Sequence, residues 1–117
     1  MEYTTNGAEI FKKRIMTLKE LHHFIFKELG VNPRLLHQSQ SRTDNEIVKY
    51  ARMIFCTIAR DRGYKAVEIG DYILREYSIV NYDIRELNKV LWRSDFLSKS
   101  ICESYNKVVA LLRETKN

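Results

Sequence analysis

The stretch that decides the fold runs from Glu46 to Gly70: E-I-V-K-Y-A-R-M-I-F-C-T-I-A-R-D-R-G-Y-K-A-V-E-I-G. Ile47, Ala51, Ile54, Phe55, Ile58 and Ala59 recur at helical spacing, which gathers them on one face of a long helix. Gly63 is expected to stop it, because glycine takes the left-handed conformation that closes a helix without steric cost. Ala66, Ile69 and Ile73 then start a second apolar stripe with Gly70 inside it. Glycine within a helix costs about 1 kcal/mol relative to alanine. Its presence therefore points to a close crossing, and the last helix of the chain is the expected neighbour. A long helix, a short turn and a short helix with a small residue facing its partner form half of a helix-turn-helix.

Composition sets the bounds. A chain of 117 residues is one domain, and 44% hydrophobic residues suffice for a core. One proline and four glycines argue against a turn-rich all-β architecture. The expected fold class is all-α, a multi-helix domain with a helix-turn-helix-like core. The formal charge of +5 permits a nucleic-acid partner without requiring one. Cys56 and Cys102 each sit in a helical pattern and read as buried free thiols rather than as a disulfide or a metal pair. The sequence contains no apolar run of membrane-spanning length and no signal-peptide profile, so the expectation is a cytoplasmic protein without a membrane partner.

Working outward from the central stretch, residues 1–7 are polar and are expected to be flexible. Phe11, Ile15, Leu18, Leu21 or His22, Ile25 and Leu29 predict a helix from Ala8 to Leu29, ended by Gly30. Lys12, Lys13 and Arg14 form a basic run that reads as a solvated face, with a phosphate contact as the alternative. His22 and His23 are adjacent, so they point about 100° apart on a helix and cannot make an i, i+4 metal pair. Both are expected to be structural or solvent-facing. Asn32-Pro33 is a helix start, with Asn at the cap and Pro at the first position. Leu35 and Leu36 would dock that turn. After the polar connection Gln38 to Arg42, Thr43 and Glu46 fit a capping box for the central helix, Asn45 to Arg62.

Beyond Gly63 the second helix is expected from Ala66 to about Tyr77. Ser78 to Tyr82 is ambiguous, with Ile79 and Val80 suited to a short extended piece. Asp83-x-x-Glu86 looks like another cap, followed by a short helix carrying Ile84, Leu87, Val90 and Leu91. Ser94 or Asp95 starts the last helix. Leu97, Ile101, Tyr105, Val108 and Leu112 form its buried stripe, and Ser98, Lys99 and Ser100 are expected to lie off it.

Taken together, F-K-E-L-G-V-N-P-R-L-L-H-Q-S-Q-S-R, then A-R-M-I-F-C-T-I-A-R, then V-E-I-G-D and finally S-Y-N-K-V occur in an order that resembles the DNA-binding C-terminal domain of the bacterial replication initiator DnaA. The resemblance spans Leu21 to Leu112. It implies a Trp-repressor-like helix-turn-helix, duplex-DNA binding, no cofactor, and a role in replication or transcription regulation. In that family an Asp-His-Thr-Thr signature opens the recognition helix. Counting back from Tyr105 puts its place at Leu97-Ser98-Lys99-Ser100, where it is absent. The turn after E-I-G then reads as an insertion of roughly 20 residues, residues 78–93 among them, against the 3–4 of a usual helix-turn-helix. No G-x-x-x-x-G-K-[ST] loop is present, so the ATPase part of the initiator is missing.

Residue chemistry supplies its own case for DNA. Base-reading helices place their N-terminal side chains in the major groove. Ser98, Lys99 and Ser100 at the start of the last helix suit that role, with Lys99 as the base reader. Lys65, Arg42 and Arg93 would hold phosphates, as cations at helix edges do. Each also reads as an ordinary cap or solvated charge. A rival is a helical interaction module that keeps the scaffold and binds a protein through 78–93, where Tyr77, Tyr82 and Trp92, with Tyr72 just before them, are the exposed candidates. No nucleophile–base pair, metal-ligand cluster or cofactor loop stands out, so an enzyme is not expected.

Overall fold

The computed structural model describes residues 16–37, 46–93 and 95–115. Among them are five α-helices and one 3-10 helix, with no strand. The chain is an all-α, multi-helix domain. The helices are α1 (Leu18–Leu29), α2 (Glu46–Asp61), α3 (Ala66–Ile73), α4 (Tyr77–Leu91) and α5 (Phe96–Thr115), and the 3-10 helix, Pro33–Leu36, lies between α1 and α2.

The start of α1 corrects the helix expected from Ala8. Thr17 is extended (φ −71°, ψ 165°), so no helix runs through it. Its Oγ1 accepts from Glu20 N at 3.0 Å, and its own N–H donates to Glu20 Oε1 at 2.8 Å. That reciprocal pair is a capping box, T-L-K-E. Residues 8–15, including Phe11, Ile15 and the Lys12-Lys13-Arg14 run, lie outside the described residues. At the other end Gly30 turns left-handed (φ 73°), Gly30 N–H donates to Lys27 O and Val31 N–H to Phe26 O. Asn32 Oδ1 then accepts from Arg34 N at 3.0 Å with Pro33 at the first position, the cap anticipated from Asn-Pro.

Helix α2 is the axis of the domain. Met53 to Ile58 and both Ala51 and Ala59 are buried, and every other helix packs against it. A helix buried on nearly all sides is the expected hub of a small bundle. Ile47 departs from the expected buried stripe: it lies in the first turn, beyond the packed centre, and is 64% exposed. The Thr43 cap lies outside the described residues. Gly63 (φ 102°) closes α2, and the buried Tyr64 beyond it donates its O–H to Met16 O at 2.6 Å, tying the end of α2 to the entry of α1.

Helix α3 stops at Ile73 instead of reaching Tyr77. Leu74 adopts the left-handed conformation (φ 64°), Leu74 N–H donates to Asp71 O, and Arg75 N–H donates to Gly70 O at 2.9 Å. This is the Schellman closure, with leucine in the usual place of glycine. Three residues, Leu74 to Glu76, then lead directly into α4. Ser78 to Tyr82 is therefore helical and not extended. Gly70 does stand at a close approach, but against this turn and not the last helix: a Cβ there would lie 2.7 Å from Arg75 O and 3.2 Å from Tyr77 N.

Residues 78–93, expected as an insertion, make up most of α4, which packs along both α2 and α3. Its inner face carries Val80, Asp83, Leu87 and Val90. Asp83 is not a cap but a fully buried carboxylate in mid-helix, because it falls on the same helical face as those apolar residues. Arg52 of α2 reaches it through Nε at 2.7 Å and Nη2 at 3.1 Å. The Cys56 thiol donates a long bond to Asp83 Oδ2, and burial next to that carboxylate pushes its pKa far up, so it is an inert thiol.

Asp95 caps α5 as expected. Its Oδ1 accepts from Ser98 N at 2.9 Å and its Oδ2 from Ser98 Oγ at 3.0 Å. These bonds hold the Asp95 carboxyl below the usual carboxylate range. Ile101, Val108 and Leu112 are buried and Tyr105 is half-buried. Ser98 continues that stripe one turn toward the start of the helix and is buried, which corrects its placement off the stripe.

Candidate nucleic-acid interface

Two groups of polar and basic side chains can be compared as surfaces. The first contains the residues singled out from the sequence. Arg42 lies outside the described residues. Lys99 and Ser100 are exposed in the first turns of α5, and Arg93 is exposed just ahead of the Asp95 cap. Ser98 is buried, with both its amide and its hydroxyl bonded to Asp95, so it is not available to a base. Ser100 borders a cavity of about 250 Å³ together with Leu29, Glu46, Tyr50, Ile54 and Ile101, which fixes this end of α5 beside the start of α2. Lys65 is exposed at the N-cap position of α3, where its N–H donates to Glu68 Oε1 at 2.7 Å. It follows the far end of α2. A helix of sixteen residues is roughly 24 Å long. The structure therefore brings Arg93, Lys99 and Ser100 to one end of the bundle and Lys65 to the other.

The second group is the outward face of α4. Ser78, Tyr82, Arg85, Lys89 and Trp92 follow one another at spacings of four, three, four and three, and all five are exposed. At 100° per residue that sequence of steps keeps them within an arc of roughly 80° along the whole helix. Tyr82 is 45% exposed and Trp92 89%. No acidic residue interrupts the stripe; Glu86 at its flank accepts from Lys89 Nζ at 3.1 Å. The preceding Tyr77 is exposed as well.

Local sequence explains this presentation. The inner residues Val80, Asp83, Leu87 and Val90 anchor α4 on α2, leaving the opposite side to solvent. Gly70 lets the turn lie against α3, and the left-handed Leu74 redirects the chain, so the start of α4 stands clear at the end of a three-residue turn. Three or four residues is the loop length of a helix-turn-helix, and short loops of this kind also join the helices of an αα-hairpin. The stripe stands in the sequence as S-x-x-x-Y-x-x-R-x-x-x-K-x-x-W, but a helix expected to run on to Tyr77 hides it; with α3 ending at Ile73 and α4 starting at Tyr77 the five residues fall on one helix face. Tyr72, grouped with the exposed aromatics, is instead half-buried and bonded to His22.

Among the described residues no cluster of three or more His, Cys, Asp or Glu side chains is placed to hold a metal ion. Among the described residues no helix is long and apolar enough to cross a membrane. No family model matches this chain, and comparisons with curated proteins and with solved structures find no match.

Proposed function

We propose that this chain binds duplex DNA through the pair α3–turn–α4, with the start of α4 in the major groove. The observation that carries it is the exposed stripe Ser78, Tyr82, Arg85, Lys89 and Trp92 on a helix that follows a three-residue turn. The stripe offers hydroxyls that bond either donors or acceptors, and a guanidinium that pairs bidentately with guanine. Lys89 farther along α4 and Lys65 at the start of α3 serve as phosphate contacts. The resemblance to the initiator domain reads more simply with α4 as the recognition helix. Glu68-Ile69-Gly70 lies in α3, the turn follows directly, and Glu76-Tyr77-Ser78-Ile79 takes the place of Asp-His-Thr-Thr without an insertion. An acid, a ring with a polar atom and a hydroxyl are retained in that order, whereas Ile79 replaces a second hydroxyl, so a different base preference is expected.

The test is a titration of labelled random-sequence duplex at low and moderate salt. Wild type is expected to bind at low salt and to weaken as salt rises. Arg85→Ala should cost about 1–3 kcal/mol at a preferred site. Lys65→Ala should make the salt slope shallower by about one unit. Lys99→Ala separates α4 from the start of α5 as the reading element: it should leave sequence preference intact. No binding at low salt would overturn duplex recognition. A second reading, a helical module docking a protein on α4, is favoured by the exposure of Trp92. It predicts salt-insensitive behaviour and no response to Arg85→Ala.

A further inference from the structure

Three imidazoles meet where α1, the 3-10 helix and α3 join. His22 of α1 is 2% exposed. The Pro33 carbonyl can only accept, so His22 Nε2 carries the proton and donates to it at 2.7 Å. In the neutral ring Nδ1 is then a lone-pair acceptor, and the Tyr72 hydroxyl of α3 donates to it at 2.8 Å. His37, just after the 3-10 helix, donates from Nε2 to the Tyr72 carbonyl at 2.8 Å. Tyr72 is thus gripped by side chain and backbone, two residues before the turn that aims α4.

Charge cannot be added to this junction cheaply. The His23 ring stacks on His22 at a centroid distance of 4.8 Å, and the His37 ring lies edge-on at 5.2 Å. Phe26 of α1 and Phe55 of α2 close the remaining sides with apolar edges. The groups that face His22 are therefore His23 from its own helix, His37 from the 3-10 segment and Tyr72 from α3; no carboxylate among them stands ready to pair with an imidazolium. An imidazolium at His22 would be desolvated and would have no opposite charge within this ring of neighbours to offset that cost.

We propose that this junction is an acid-sensitive clamp on α3: a proton added at His22 Nδ1 takes the lone pair that the Tyr72 hydroxyl donates to, so the hydroxyl must turn round against an uncompensated buried cation, which loosens the hold on Tyr72 and, through the turn, misplaces the start of α4. The consequence for binding rests on the DNA-binding role of α4; the clamp itself does not. Burial pushes the His22 pKa below the ordinary 6.5, the bond to Pro33 opposes this, and His23 and His37 add to the lowering. For a base whose folded pKa lies below its unfolded value, the stabilisation is complete above the ordinary value and is lost as pH falls beneath it.

Two measurements test this. Without DNA, a histidine NMR titration of the wild-type chain should show His22 titrating below its ordinary value, with the amides of Tyr72 and of residues 74–76 shifting at the same midpoint. If His22 protonates and those amides stay still, the clamp is refuted. With duplex DNA, affinity of wild type and His22→Gln is compared at about pH 7.5 and about pH 5.5. The glutamine variant keeps His23 and His37, so the rise in net charge on acidification is nearly matched. Wild type should lose roughly threefold or more affinity relative to the variant at the lower pH. Equal pH dependence in the two proteins would refute the link from the clamp to the start of α4. Absence of binding by wild type at the higher pH would count against α4 as a DNA reader, and the NMR titration would still decide the clamp.

Discussion

Helices α2 and α3 close in the same way, with different residues. At the end of α2, Gly63 takes the left-handed position, Gly63 N–H reaches Arg60 O and Tyr64 N–H reaches Ala59 O. At the end of α3 the same two bonds form around Leu74, and Gly30 repeats the glycine version after α1. Leucine in that conformation costs roughly 1–2 kcal/mol that glycine does not. Leu74 is 72% exposed, so burial of its side chain does not offset the cost. Backbone bonds and the packing of Gly70 against Arg75 hold the turn in place instead. The comparison teaches that the chain is turned by its surroundings at α3 and by its local sequence at α1 and α2. The surroundings-imposed turn is the one that presents the exposed stripe.

That contrast can be broken most forcefully from the inside of α4. Asp83→Ala removes the fully buried carboxylate that Arg52, itself 15% exposed, bonds through Nε and Nη2, and removing one partner of a buried ion pair costs up to about 3–5 kcal/mol. Urea unfolding of the variant should show that loss; an unchanged midpoint would mean that α4 does not need its buried pair to stay seated. Gly70→Leu comes next. Its side chain would be driven into the Arg75 carbonyl, which is backbone and cannot swing aside. Overpacking should cost about 1–3 kcal/mol and weaken the turn selectively, visible as faster amide exchange in residues 74–80 than in α1. The smallest effect has the opposite sign. Leu74→Gly removes the left-handed strain and should stabilise by up to about 1 kcal/mol, the remainder being lost to the greater freedom of glycine in the unfolded chain. A drop in thermal midpoint for Leu74→Gly would show that the leucine makes contacts that outweigh its backbone cost.

The same contrast explains what could be read from the sequence. Asn32-Pro33, Gly30, Gly63 and the Asp95 cap are marked by residues whose local chemistry dictates a boundary, and each stands at one; the central helix closes at Gly63 as expected, while its expected start at Asn45 and the Thr43 cap lie outside the described residues. No glycine or proline follows Gly70. The break at Leu74 therefore left no local mark, and the apolar spacing carried the expected helix on to Tyr77. Thr17-x-x-Glu20 did mark the start of α1, but the periodicity of Phe11, Ile15 and Leu18 ran across it. Asp83 and Ser98 differ from expectation because polar residues are expected at caps and surfaces, and specific partners make them tolerable inside: Arg52 of α2 for Asp83, and the local cap Asp95, three residues back, for Ser98. Lys65, Arg93, Lys99 and Ser100 were rightly placed in solvent. The α4 stripe was missed because a period cannot be counted across a boundary drawn in the wrong place.

Trp92 is the chain's single tryptophan, and 89% of its surface is already in water. Its indole has almost nothing to lose when the chain unfolds, so its emission is a poor thermometer of the fold. For the same reason a change in its emission reports what lands on the far end of α4. A blue shift or quench on adding a partner would signal contact with the indole directly, without a label and without confusion from folding.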